Sequence, residues 1–352
     1  MQIKPCGPRR DWTLPALALA KSGGYRNAHA QEILAEETLA PRLGQNRRMI
    51  IRQLVYLDAL AREKHFRRAA EACHVSQPTL SAAIAQLEEE LGILIVERGR
   101  RFQGLTKEGE VVLAHARRIL AEADQMKDAI AELREGVSGR IRLGAVPTAL
   151  PMIAHITAPF STRYPGAALT VLSLTSTEIQ NGIDNFELDV GLTYLDNEPL
   201  ERVVSKPIYQ ESYVLLTRED GPLGGRETIS WAEAAALKLC LLTSDMQNRR
   251  IIDGIFRSVG HAPKPAIETN SIFNLCSHAG IQGVSSIVSI QLLEFFGVPL
   301  GTKALPLTAP DAKRTIGLIM ADRQPAAPLA RNLLMMSDTV ADAALPRRPI
   351  VK

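Results

Sequence analysis

The sequence predicts a multi-domain α+β protein on three observations. Near the front, apolar residues recur at helical spacing in short blocks separated by tight turns. One later stretch repeats its apolar residues every 3.5 positions. Beyond it, β-rich and helical runs alternate almost to the C-terminus. The 352 residues suit two or three domains at about 150 residues each. With 46% hydrophobic and 22% charged residues, a disordered or collagen-like chain is excluded. No apolar run approaches the roughly 18 residues of a membrane span. Cys6, Cys73, Cys240 and Cys276 are too irregularly spaced for a disulfide framework or a zinc site. A net charge of +3 argues against a chain basic all over, but it leaves a local basic patch open.

Residues 1–48 carry Arg9-Arg10, a short apolar stretch from Leu14 to Leu19 and Gly23-Gly24, with no clear period. Pro15 and the shortness of the apolar stretch make a poor secretory signal. The segment is expected to be a poorly ordered arm, or to lie upstream of a natural start at Met49.

From there Ile50, Leu54, Leu57 and Ala61 form the stripe of an amphipathic helix. A second helix from Phe66 carries the small pair Ala69-Ala70, which lets another helix come close. After a break at His74-Val75, Ser76 is placed to cap a third helix, with Pro78 in its first turn and Gly92 at its end. Leu80, Ile84, Leu87 and Leu91 make its apolar face. Any helical hairpin could show this pattern. The residues after Gly92 favour helix-turn-helix: a short strand Ile93–Val96, then Arg98, Arg100 and Arg101 around Gly99, then a second strand to Leu105, a basic wing. The wing arginines with Arg67 and Arg68 can neutralise phosphates. Ser76, Gln77, Thr79, Ser81 and Gln86 are the candidates for the DNA-facing side of the third helix, glutamine being able to bond adenine in bidentate fashion. Each of them could equally be a solvated helix residue.

After Thr106, a plausible cap, Val112, Ala116, Ile119, Ala123, Met126, Ile130, Leu133 and Val137 alternate steps of four and three. Such a narrow seam fits a coiled-coil partner, and Val112, Ile119, Met126, Ile130 and Leu133 are the expected dimer contacts. Packing on the chain's own domain would be the plainer use of the same seam.

From 140 onward the alternation implies βαβ units and a mostly parallel sheet. Strand-like runs are Ile141–Val146, Ala168–Leu174, Asp189–Leu192, Tyr209–Thr217, Leu237–Thr243, Ala266–Asn270, Ser285–Ser289 and Thr315–Ala321, with a last helix over Leu329–Ala344. Ligands in such folds bind beyond the carboxyl ends of strands. Thr148, Ser176, Thr177, Thr193, Thr243 and Asn270 stand at those ends and are the candidate ligand contacts, with a carboxylate or other oxyanion as the expected ligand. Taken singly, each could be an ordinary helix cap.

The stretch HFRRAAEACHVSQPTLSAAIAQLEEELGILIVERGRRFQGLTKEG resembles the N-terminal module of the LysR-type transcriptional regulators. The motif carriers are Ala69-Ala70, Val75–Pro78, Leu80-Ser81, Leu87-Glu88, Leu91-Gly92 and Leu105-Thr106, and the likeness extends over most of 49–345. Val96 replaces the family's usual Phe, and Ala82, Ala83 and Ala85 leave the third helix without positive charge, which puts phosphate affinity on the wing. The resemblance implies a C-terminal effector domain of two lobes, like periplasmic solute-binding proteins, with the inducer between them. Thr148 and Thr177 match the family's hydroxyl ligands in the first lobe, and Thr243 is a looser match in the second.

The expected layout is an extension over 1–48, a winged helix-turn-helix over 49–108, a dimerising linker helix over 109–137 and an effector domain over 138–345. Lobe I would take 138–206 and 312–345, and lobe II 207–311. The resemblance further implies a homodimer or homotetramer on double-stranded promoter DNA in the cytoplasm, a small-molecule effector, contact with RNA polymerase, and no membrane or cofactor. A solute-binding protein is the alternative, opposed by the winged helix. An enzyme is opposed by the lack of a G-x-S-x-G, P-loop or H-E-x-x-H motif. A redox pair of Cys240 and Cys276 is disfavoured, since both read as small buried hydrophobes.

Overall fold

The structure is a computed structural model that describes residues 49–97, 102–135, 138–281, 283–323 and 325–337. The expected arm over 1–48 and the wing arginines Arg98, Arg100 and Arg101 lie outside these residues.

Three helices form the front module: α1 (Ile51–Glu63), α2 (Phe66–Ala72) and α3 (Gln77–Leu91). The buried pair Ala69-Ala70 lets α2 approach its neighbours closely, and Leu54, Leu57, Leu60, Leu80, Ile84 and Leu87 fill the space between the helices. Ser76 Oγ accepts the Thr79 N–H at 3.3 Å, Pro78 occupies the first turn, and Gly92 ends α3 at φ 68°. The Glu88 carboxylate then accepts the N–H groups of Ile95 at 2.7 Å and Val96 at 3.0 Å, fastening the hairpin to α3. Among the described residues the expected pair of wing strands reduces to one bridge, Val96 to Leu105.

The long helix α4 (Lys107–Glu135) starts on Thr106, whose Oγ1 accepts the Gly109 N–H at 2.9 Å and donates to Leu94 O at 2.6 Å. Gly109 is required there, because a Cβ would stand 2.1 Å from the Ile95 carbonyl oxygen. The first three turns of α4 belong to the front module: Leu113 and Ala116 are buried in its core and Val112 is half-buried against it.

The remainder is built on one mixed sheet. Its strands are β1 (Gly139–Ala145), β2 (Ala167–Ser173), β3 (Val190–Tyr194), β4 (Val203–Arg218), β5 (Ile229–Ser230), β6 (Leu239–Leu242), β7 (Ile267–Thr269), β8 (Ser285–Ser289), β9 (Thr302–Thr308) and β10 (Lys313–Ala321). The order is β2-β1-β3-β10-β4-β8-β6-β7, with β9 also beside β4 and β5 beside β9. Parallel pairs β1–β2, β1–β3, β6–β7 and β6–β8 match the βαβ expectation, whereas β10 runs antiparallel to both β3 and β4. The helices are α5 (Leu150–Arg163), α6 (Ser176–Asp184), α7 (Trp231–Ala234), α8 (Gln247–Ser258), α9 (Ile272–Ala279), α10 (Ile290–Phe296) and α11 (Pro328–Met336). The last helix expected to Ala344 is described over Pro328–Met336, and 338–344 lie outside the described residues.

Two lobes emerge from the pairing of β4. Its residues 203–212 pair with β10, and from Tyr213 onward it pairs with β8 on one side and, from Val214, with β9 on the other. The lobe boundary expected between 206 and 207 therefore falls inside one continuous strand, and pairing changes near Ser212-Tyr213. The core runs through both lobes, from Ile141, Leu143 and Leu192 in the first to Leu239, Ile251 and Phe256 in the second.

Candidate functional site

Two faces of the molecule carry candidate chemistry. The first is α3. Leu80, Ile84 and Leu87 point into the module, so Gln77, Thr79, Ser81 and Gln86 stand exposed on the opposite side with Ala82 and Ala85. Ser76 is committed to the cap, and its hydroxyl is also 2.8 Å from that of Thr79. The Gln86 amide donates to Glu90 at 2.9 Å within the helix. Arg67 and Arg68 lie exposed at the start of α2, paired with Glu71 and Glu63 respectively. Exposed pairs of this kind are worth about 0–1 kcal/mol, so either guanidinium can exchange its partner for a phosphate. The face is exposed and anchored from behind, as major-groove reading requires.

On α4 the apolar stripe divides. Val112 is half-buried against the chain's own front module. Its neighbours Leu113 and Ala116 hold that turn inward. Ile119, Met126 and Ile130 are 39%, 61% and 49% exposed and form the free part of the stripe. The Leu133 side chain lies outside what is described.

The second face is the cleft between the lobes, and here the strand-end residues separate into distinct roles. Thr148 is buried, its Oγ1 2.9 Å from the Tyr194 hydroxyl. That hydroxyl donates to Glu211 Oε1 at 2.6 Å and accepts from Asn248 Nδ2 at 3.0 Å. Thr148 and Tyr194 come from the first lobe, Asn248 from the second, and Glu211 from the strand they share. Glu211 is fully buried, and burial raises its carboxyl to about 7 against the hydrogen bonds that favour the charged form. Burial and the neighbouring carboxylate push Tyr194 well above the ordinary phenol value. Thr193 is buried, 3.4 Å from Gln247 Oε1. Thr243 Oγ1 is buried without a hydrogen-bond partner among the described residues.

At the start of α6, Thr175 rather than Ser176 or Thr177 is the cap, in a reciprocal box with Glu178. Ser176 turns inward and accepts from Arg250 Nη2 at 3.2 Å, while Thr177 is exposed. Arg250 is held by both oxygens of Glu198, at 2.6 and 2.9 Å. Its neighbour Arg249 is held by Asp253 and Glu268 at 2.9 and 2.6 Å. Asn270 is exposed and lines an opening of about 650 Å³ between α5 of the first lobe and α9–α10 of the second. None of the other five candidates lines that opening.

Sequence reasoning therefore found the strand ends but missed Tyr194, Glu211, Asn248 and Arg250. One signal was available: Tyr209, Glu211 and Tyr213 alternate on one face of a strand, where a lone acid between two aromatics is out of place. Cys73, Cys240 and Cys276 are free thiols, each raised by burial.

Comparison with known proteins agrees with this arrangement. Residues 51–110 match the bacterial regulatory helix-turn-helix protein, lysR family, and residues 134–340 match the LysR substrate binding domain. The DNA-binding transcriptional dual regulator OxyR of Escherichia coli (strain K12) is 30% identical over 299 residues, covering 83% of this chain and 95% of its own. A probable hydrogen peroxide-inducible genes activator of Mycobacterium xenopi is 34% identical over 172 residues, 49% of this chain and 90% of its own. Among solved structures, a full-length OxyR variant from Pseudomonas aeruginosa superposes with a TM-score of 0.67 at 25% identity, covering 83% of this chain and 98% of that one. CbnR, a LysR family transcriptional regulator, shares the fold with a TM-score of 0.61 at 22% identity, over 83% of this chain and 99% of that one. The exposed face of α3 on a helix-turn-helix, joined by one long helix to a two-lobed sensor, together with these matches, places the chain in the LysR family as a ligand-responsive, DNA-binding transcriptional regulator.

Proposed function

We propose that two copies of the chain pair through Ile119, Met126, Ile130 and Leu133 of α4 and present two α3 helices to successive half-sites of promoter DNA. Gln77, Thr79, Ser81 and Gln86 read base edges, while Arg98, Arg100, Arg101, Arg67 and Arg68 neutralise phosphates. The observation that carries this reading is the polar, exposed face of α3, backed by a fully apolar inner face. Pairing of dimers into a homotetramer would add half-sites and affinity through effective concentration. The domain limits 49–108, 109–137 and 138–345 belong to the same proposal, as do contact with RNA polymerase and action in the cytoplasm, where promoter DNA is found.

A small molecule between the lobes shifts their arrangement, and α4 carries the change to the DNA-binding modules. Several relatives are named for induction by hydrogen peroxide. A thiol sensor at Cys73, Cys240 or Cys276 is disfavoured, because burial raises all three thiols, whereas a reactive thiol needs the opposite shift. A gel-shift titration on the DNA upstream of the chain's own gene tests the reading. A salt-sensitive, sequence-specific complex is expected. Binding equal to that on scrambled DNA at every salt concentration would reject it.

A further inference from the structure

The position of the cleft follows from the fold, but the class of molecule it accepts has to be read from the lining. We propose that the effector is an uncharged, aromatic or similarly apolar small molecule seated between α5 and α9–α10, an inference that rests on the ligand-responsive reading above. The opening of about 650 Å³ has the size of a small-molecule pocket and takes its walls from both lobes. Leu150, Pro151 and Ala154 come from the first lobe, and Phe273, Phe295 and Phe296 from the second. Among the described residues its lining contains no Asp, Glu, Lys, Arg or His. An anion entering it would lose part of its hydration with no charged side chain of the lining to replace it.

The cations nearest the strand ends of the second lobe do not repair this. Arg250 is tied to Glu198 through both carboxylate oxygens, and Arg249 to Asp253 and Glu268. Glu211, buried beneath the Tyr194 hydroxyl, supplies no cation either. The oxyanion expected from the hydroxyl-rich strand ends thus finds its cations already engaged, and Thr148 already bonded to Tyr194.

An apolar ring fits what remains. Phe273 and Phe296 are 77% and 62% exposed, although their ring centroids are only 6.5 Å apart. Phe295 stacks edge-on to Phe296 at 4.9 Å, and its other side meets the His155 ring at 5.7 Å. The exposed faces can take a further ring in the edge or offset geometry that aromatic pairs prefer. The hydroxyl and amide groups of the lining are Ser173, at the carboxyl end of β2, and Asn270 and Ser271, just beyond β7; their side chains have no hydrogen-bond partners among the described residues and can hold one neutral oxygen or N–H. The Cys276 thiol on the same wall is kept neutral by burial.

The test uses the full-length protein and two fluorescent probes that share one aromatic body: uncharged N-phenyl-1-naphthylamine and its sulfonate, 8-anilinonaphthalene-1-sulfonate. The neutral probe is expected to bind at least tenfold more tightly. Ala154→Trp, which fills the opening from an exposed helix position, should weaken the neutral probe at least tenfold. Phe296→Ala should weaken it severalfold. Both variants should keep wild-type thermal stability and wild-type binding to the upstream DNA without ligand. Equal or preferential binding of the sulfonate overturns the proposal, as does neutral-probe binding unchanged in both variants. Failure of the neutral probe to bind, or an Ala154→Trp protein that changes oligomeric state instead of probe affinity, also overturns it and assigns the face to protein contact. Loss of specific DNA binding by the wild-type chain would instead reject the regulator reading, so the two failures are distinguishable.

Discussion

The Tyr194 hydroxyl donates a 2.6 Å hydrogen bond to Glu211, joining the last residue of β3 in the first lobe to the strand that passes into the second. Asn248 reaches the same hydroxyl at 3.0 Å from the start of α8. A buried acid is therefore the meeting point of the two lobes. Its second oxygen, Oε2, has no partner among the described residues, so the protonated form is the easier one to bury.

That placement makes stability depend on pH. The folded Glu211 carboxyl is raised from 4.5 to about 7, so between these values the native state holds a proton the unfolded chain has released. Stability from this group is full below 4.5, falls as pH rises toward 7, and is level above it. The loss is on the order of 3 kcal/mol. Glu211→Gln should flatten the fall and stabilise the protein at pH 8, as read by urea unfolding at pH 5, 6, 7 and 8. An unchanged pH profile would rule out the buried acid as its cause.

Base reading and phosphate contact should separate by salt. Gln77→Ala should cost about 1–3 kcal/mol on the specific site and leave non-specific binding and the salt slope unchanged. Arg100→Ala should weaken both kinds of site and lower the slope by about one. Quantitative gel shifts from 50 to 200 mM salt check both.

The free stripe of α4 should govern assembly. Met126→Glu places a charge at a position 61% exposed in the single chain, so the fold should survive while dimers dissociate. Light scattering should show a fall to monomer, with specific DNA affinity dropping at least tenfold. Val112→Ala should instead lower thermal stability without changing the oligomer, because Val112 packs inside its own module.

Arg117 gives a test of communication. Its guanidinium bonds Asp58 of α1 at 2.9 Å and Glu187 beyond α6 at 2.6 Å, so one half-buried side chain touches both the reading module and the sensor. Arg117→Ala should leave basal DNA affinity within about twofold and weaken the ligand-dependent change in it. Titrations of DNA with and without the neutral aromatic probe would measure this.

The front module was legible from sequence because its signals are local. Ser76, Pro78 and Gly92 each act on residues within one helical turn, and all three perform as expected. The stripe on α4 was legible as a period but not in its use, since Leu113 and Ala116 reveal their partner only across the fold. The same reason hid the cleft. Thr148 meets Tyr194 across 46 positions and Asn248 meets it across 54, so no spacing rule links them. The strand β9 was missed because Pro306 interrupts its pattern, yet it pairs with Val214 along β4. The helix Ile290–Phe296 was not legible for the opposite reason: seven residues of near-continuous hydrophobicity show no period.

The length of α4 sets the mechanical scale of the response. Its 29 residues make a rod of about 44 Å. A tilt of about 5° at the sensor end displaces the other end by about 4 Å, close to the 3.4 Å rise of one base pair. A change between the lobes too small to alter either lobe's interior is thus enough to move a reading helix out of register with its half-site.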